Sequence, residues 1–185
     1  MNRNEAWQLL TEYTKSESLL KHALAVEAAM RHYAAHFGED VELWGAVGLI
    51  HDFDYERFPG PPQHTQAGAK ILRERGIGEF IIGAMLSHAE WNLGEYPRDS
   101  LIRKTLAAVD ELCGFVTAVA YMRPEKLDGM TASSVRKKMK QKSFAAAVSR
   151  EDIAAGAQML GLELDDHITH VVTALQSVAA PLGFK

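Results

Sequence analysis

The sequence predicts an all-α fold, on three observations. Apolar residues recur at the 3.6-residue period of an amphipathic helix through nearly the whole chain. No alternation at the two-residue period of a strand lasts more than a few positions. Glycine and proline stand between the periodic stretches, at Gly38, Pro59, Gly76, Pro124 and Gly161, where they end helices.

Each element follows in order. Leu19, His22, Ala23, Val26, Met30, Tyr33 and Phe37 form one stripe of a long helix, which Ser16 or Ser18 caps and Gly38 closes. A second helix runs from about Val41 to Asp52, with Leu43, Trp44, Val47, Ile50 and His51 on one face. Pro59-Gly60-Pro61-Pro62 cannot continue a helix and marks an ordered loop. A third helix spans about Gln63 to Arg75 and stops at Gly76. A fourth, about Gly78 to Ala89, carries Ile81, Ala84, Met85 and His88 on one stripe. The fifth, about Ser100 to Tyr121, carries Ile102, Leu106, Val109, Asp110, Cys113 and Thr117 before Pro124. Further on, Thr131 caps a basic helix through Lys142, and Ser149 with Asp152 resembles a capping box. Two final helices break at Gly161-Leu162 and end at Pro181-Leu182-Gly183. Residues 1–185 read as one domain, a metal-binding core over about 16–122 and a small helical extension over about 123–185.

Composition narrows the function classes. Apolar content of 47% and charge of 24% are those of a soluble globule. A net charge of −4 gives no electrostatic case for a nucleic-acid polymer or an anionic membrane. No apolar stretch reaches the ~18–20 residues that span a bilayer, and Met1-Asn2-Arg3-Asn4-Glu5-Ala6-Trp7 lacks the apolar core of a signal peptide. The single cysteine, Cys113, lies in an apolar stripe as core, excludes an internal disulfide and fits a reducing compartment, so a cytoplasmic protein is expected. Oligomeric state is left open.

The chemistry sits in the apolar stripes. The dipeptide His51-Asp52 ends the run from Leu43 to Ile50; His22, His88 and Asp110 stand in apolar segments, and His64 follows the proline-rich loop. A buried carboxylate or imidazole costs several kcal/mol unless something pairs with it. Asp110 weighs most, because its stripe holds no arginine or lysine and a carboxylate there must protonate or find a cation. Several such groups in one interior are most simply explained by a shared metal ion. A nitrogen- and oxygen-rich set without thiolate suits iron, manganese, zinc or, less readily, magnesium.

The order His22, His51-Asp52, Asp110 resembles the HD-domain metal-dependent phosphohydrolase superfamily, whose helical core holds divalent metal through those four side chains. Two further histidines between the dipeptide and the last aspartate, His64 and His88, resemble its two-metal branch. That resemblance implies that Asp52 bridges the ions, with His22, His51 and Asp110 on one and His64 and His88 on the other. The stretches 49–56, 87–90 and 109–115, with Arg123-Pro124 and 140–144, are also similar to a group of small bacterial HD-domain proteins. Phe53-Asp54-Tyr55-Glu56 stands where the superfamily's cyclic-dinucleotide phosphodiesterases carry a Gly-Lys pair, and no Gly-Tyr-Pro motif follows, which argues against that substrate class.

Asp52, Asp54, Glu56 and Glu90 are the candidate catalytic residues, the last three suited to orient water or protonate a leaving oxygen, with Glu111 a further candidate. The run 136–143 is strongly basic, and Lys137, Lys140 and Lys142 are candidate phosphate ligands, weighed against an ordinary solvated helix. His167 and His170 stand three apart near the C-terminus without an adjacent acid in an apolar setting, and His32 and His36 are expected in solvent. The expected function is hydrolysis of a phosphate ester of a small molecule, in the nucleotide size range, with one or two divalent ions. The alternatives are a di-iron oxygenase of the same superfamily, which uses the same ligand types, and a non-catalytic nucleotide sensor.

Overall fold

In a computed structural model that describes residues 1–184, the chain folds through nine α-helices and one short 3-10 turn, with no strand among the described residues. In order these are α1 (Arg3–Tyr13), α2 (Glu17–Phe37), α3 (Val41–Ile50), α4 (Gln63–Glu74), α5 (Glu79–Leu86), the 3-10 turn Glu90–Asn92, α6 (Leu101–Tyr121), α7 (Ala132–Met139), α8 (Arg150–Met159) and α9 (Leu164–Ser177).

Local chemistry starts several helices. Asn2 and Glu5 form a reciprocal capping box at α1, the helix that the apolar pattern did not reveal. The Asp40 carboxylate accepts from the N–H groups of Glu42 and Leu43 at the start of α3, and the Ser149 hydroxyl accepts from Asp152 N–H at α8. Neither serine caps α2 by its side chain: Ser16 occupies the cap position but makes no such bond. Instead, the Glu56 carboxylate reaches across from the loop after α3 and accepts the N–H groups of Lys15 at 2.7 Å and Ser16 at 2.9 Å.

The two 21-residue helices α2 and α6 pack together at the centre. On one side α3 lies along α2 and carries α1; on the other, α8 and α9 pack on α6 and α2. Close approach of α3 to α2 depends on Gly48, where a Cβ would meet Met30 Cγ at 2.9 Å and the Val26 carbonyl oxygen at 3.0 Å. The extension after residue 122 joins the same core: Gly156 of α8 lies so near α6 that a Cβ there would stand 2.8 Å from Ala108 Cα. Cys113 is buried, as expected, and packs in that core.

Two helix ends and one helix interior differ from expectation. The fourth expected helix ends at Leu86, so His88 occupies a turn rather than a stripe. The basic helix stops at Met139, leaving Lys140 and Lys142 in turns. Within α4, His64 (φ −55°, ψ 140°) and Thr65 (φ 68°, ψ −41°) leave helical geometry. A left-handed threonine is strained; here its N–H bonds the Asp54 carboxylate and its hydroxyl accepts from the Asn92 side-chain amide.

Candidate metal centre

Five elements bring six side chains together: His22 from α2, His51 and Asp52 from the end of α3, His64 from the start of α4, His88 from the turn after α5, and Asp110 from mid α6. Asp52 is the hub. Its Oδ1 lies 3.1 Å from His64 Nε2 and 3.2 Å from His88 Nε2, and its Oδ2 lies 3.5 Å from His51 Nε2. Asp110 Oδ1 closes the other side, 2.9 Å from His22 Nε2 and 3.5 Å from His51 Nε2. Two groups of donor atoms could each hold an ion, His22 with His51 and Asp52, and Asp52 with His64 and His88. Asp52 belongs to both.

Three imidazoles are aimed by what their other nitrogen bonds. His51 Nδ1–H donates to the Gly48 carbonyl at 2.7 Å, and His88 Nδ1–H donates to the Met85 carbonyl at 2.6 Å. His64 Nδ1–H donates to Asp54 Oδ1 at 3.0 Å. Each assignment leaves Nε2 with a lone pair turned toward Asp52, the arrangement that metal-ligating histidines use.

The residues fit a cation. His51 Nε2 is a buried nitrogen with no hydrogen-bond partner, facing two carboxylates at a distance too long for a good hydrogen bond. Without an ion, protons must balance the charge. Burial works against charge on His64, but its bonds to Asp52 and Asp54 outweigh it and raise the imidazole to about 9. Burial likewise opposes protonation of His51 and His88, and the neighbouring carboxylates raise both. Burial raises Asp52, yet the surrounding imidazoles hold it well below the usual carboxylate range. Asp110 behaves alike beside His51 and His22. A divalent ion would take the place of those protons.

The other expected site residues divide. Asp54 is not poised for proton transfer: it is fully buried, and its carboxylate is filled by His64 Nδ1–H and by the N–H groups of Thr65 at 2.9 Å and Gly68 at 2.8 Å. It is a positioning residue. Glu56 is exposed, and its Oε2 is engaged by the N–H groups of Lys15 and Ser16 at the α1–α2 junction. Glu90 does stand at the site, lining a cleft of about 210 Å³ with His88, Trp91, Asp110, Glu111 and Asp152. Glu111 is half-buried and accepts Ser149 N–H through Oε2; burial first, then the charge of Asp110, raises its carboxyl. Lys137, Lys140 and Lys142 do not reach this cleft. Lys140 and Lys142 flank a groove beside Arg150, and Lys137 another beside Arg123.

Among the described residues the cleft's one lining arginine or lysine is Arg98, which sequence reasoning missed. Its guanidinium donates to the carbonyls of Ser87 at 3.0 Å and His88 at 2.7 Å, fixing the turn that carries His88. Trp91 and Tyr55, both exposed aromatics, flank His64 with ring centroids at 6.0 Å and 5.1 Å. No short motif marks Arg98 or Trp91, because the 3-10 turn and the loop after it bring them in.

The distal histidines are not all in solvent. His32 is half-buried and hydrogen-bonded to His170. His167 is fully buried; its Nδ1 accepts from the Tyr33 hydroxyl and its Nε2–H donates to the Ala108 carbonyl. His167 and His170 thus serve different partners and do not clamp one ion.

The HD domain family matches residues 19–153 of the chain. Ribonuclease Y of Staphylococcus epidermidis is 31% identical over 100 residues, which cover 52% of this chain and 18% of that protein. Ribonuclease Y of Enterococcus faecalis matches with the same identity and coverage. The chain therefore spans about a fifth of the length of these relatives. No solved structure matches it.

Proposed function

Because the chain belongs to the HD-domain family, we propose that it is a metal-dependent phosphohydrolase acting on a phosphate ester of a small molecule, in the nucleotide size range. The observation that carries this reading is the meeting of four imidazoles with the carboxylates of Asp52 and Asp110, beside a cleft whose one lining arginine or lysine among the described residues is Arg98. His22, His51 and Asp110 would hold one ion, His64 and His88 a second, with Asp52 shared between them. When bound, divalent metal would supply Lewis acidity, drawing charge from the phosphoryl oxygens and bringing the pKa of water toward neutrality.

The chain's own residues supply the rest. Arg98, pinned by two carbonyls, offers its remaining N–H groups to one phosphate. Glu90 and Glu111 are the acids at the cleft able to carry a proton to a leaving oxygen, Glu111 through Oε1, since Oε2 is taken by Ser149. Trp91 offers a flat apolar face for the non-phosphate part of the ligand.

The relatives named above are ribonucleases, but a small substrate fits this cleft better than an RNA strand. Successive phosphates would meet Glu90, Glu111 and Asp152 with only Arg98 among the described residues to offset them. The test is anaerobic purification with metal analysis, then phosphate release from a panel of phosphomonoesters, nucleoside monophosphates included, with Mn²⁺, Mg²⁺, Fe²⁺ or Zn²⁺ under argon. Chelator-sensitive release without oxygen is expected. Turnover only with dioxygen and without phosphate release would replace this reading with the oxidative one, and no turnover of any ester would replace it with the sensor.

A further inference from the structure

We propose that His32, His36 and His170 form a second, separate metal site, selective for a transition-metal ion, that ties α9 to α2. His32 and His36 stand one turn apart on α2, and His170 meets them from α9. His32 Nε2 and His170 Nδ1 are 2.9 Å apart in a hydrogen bond, and the His36 and His170 rings lie 4.7 Å apart between centroids. His32 follows His22 on the same helix by ten residues, about 15 Å of rise. No ligand can therefore be shared with the centre around Asp52.

The His32–His170 pair is close to the geometry of a site. Two imidazoles in a hydrogen bond share one proton between two lone pairs; an ion replaces that proton. Bonds of ~2.0–2.1 Å in tetrahedral geometry set donor atoms about 3.3 Å apart, so the pair needs to open by only a few tenths of an ångström. His36 is exposed, and its ring must turn for a nitrogen to join the pair. Its spacing from His32, four residues on one helix, is that of a helical zinc-binding pair. Asp166, one turn before His170 on α9, acts on that imidazole by its charge. Burial and the neighbouring imidazoles lower His32, and burial and His36 lower His170, which keeps lone pairs available at neutral pH. Tyr33 and Phe37 back the rings, at 5.2 Å from His170 and 5.0 Å from His36. A donor set of imidazoles favours Zn²⁺, Ni²⁺, Cu²⁺ or Co²⁺ over Mg²⁺ or Ca²⁺.

The experiment uses the full chain and Zn²⁺ alone as probe. Wild type, His36→Ala and His170→Ala are equilibrated with the same buffered Zn²⁺, and metal per chain is read by mass spectrometry, with Zn²⁺-induced change in Tm alongside. Wild type is expected to hold one more equivalent than either variant and to gain more in Tm. His36 is exposed, so its removal leaves the fold standing and the comparison valid. Equal uptake by wild type and His36→Ala would overturn the proposal and leave the rings as packing alone.

Discussion

Asp54 sets the direction of His64: Oδ1 accepts the imidazole Nδ1–H at 3.0 Å while Oδ2 ties down the backbone of the same turn at Thr65 and Gly68. The carboxylate thus fixes both the tautomer of the ring and the strained backbone that presents it.

Asp54→Asn should therefore weaken the ion on the His64 side by ~10–100-fold, the usual cost of losing an outer partner of a ligating histidine. The ion on the His22 side should bind as before. Gly68→Ala should act in the same direction, since its Cβ would press on the Asp54 carboxylate at 3.0 Å. Metal titration resolving the two affinities checks both; unchanged binding in Asp54→Asn would remove its positioning role.

Glu56 and Glu90 should behave oppositely. Glu56→Gln should leave kcat unchanged, because that side chain serves the α1–α2 junction. Glu90→Gln should lower kcat by ~10²-fold if it moves a proton at the cleft. Steady-state kinetics with metal content measured in parallel separates the two, and the reverse pattern would restore Glu56 as the proton carrier.

Arg98→Ala should raise KM for a phosphate ester by ~10–100-fold, the worth of a charge-assisted hydrogen bond. Arg98→Lys keeps the charge but not the fork that holds the Ser87 and His88 carbonyls, so it should recover part of the affinity. Values of KM and kcat for both variants decide whether Arg98 binds phosphate or only braces the turn.

His167 should make stability fall in acid. Burial depresses its imidazole to about 4 from an ordinary 6.5, so the folded ring stays neutral where the unfolded one protonates. The contribution is full above about pH 6.5, is lost as pH falls toward 4, and amounts to ~3 kcal/mol at most. His167→Gln can accept from Tyr33 and donate to Ala108 without titrating. Denaturant unfolding at pH 7 and pH 4.5 should show the wild type losing more stability than the variant; parallel losses would contradict this origin.

Much of the fold was legible because amphipathic stripes and their breakers report helices directly. Helix α1 escaped, since its signal is a capping box around Asn2 and Glu5 and only Ala6, Leu9 and Leu10 are buried. The six polar groups of this centre were legible because five were conspicuous in or at the end of an apolar run and His64 followed the proline-rich loop. The roles of Asp54 and Glu56 were not, since adjacent loop carboxylates look alike until the fold sends one inward to His64 and the other to Lys15 and Ser16. Arg98 carries no motif of its own, and the imidazole cluster depends on His170, 138 residues from His32, so the i,i+4 spacing of His32 and His36 did not announce it.

Anomalous diffraction at the edge of the metal found in the purified protein is the most direct measurement of the central claim, a two-ion centre hinged on Asp52. Two peaks are expected, one among His22, His51, Asp52 and Asp110, the other among Asp52, His64 and His88, each ~2.0–2.3 Å from its donor atoms. Both should vanish in Asp52→Ala together with hydrolysis. Metal-loaded crystals with no peak within reach of Asp52, or full hydrolysis by Asp52→Ala, would contradict it.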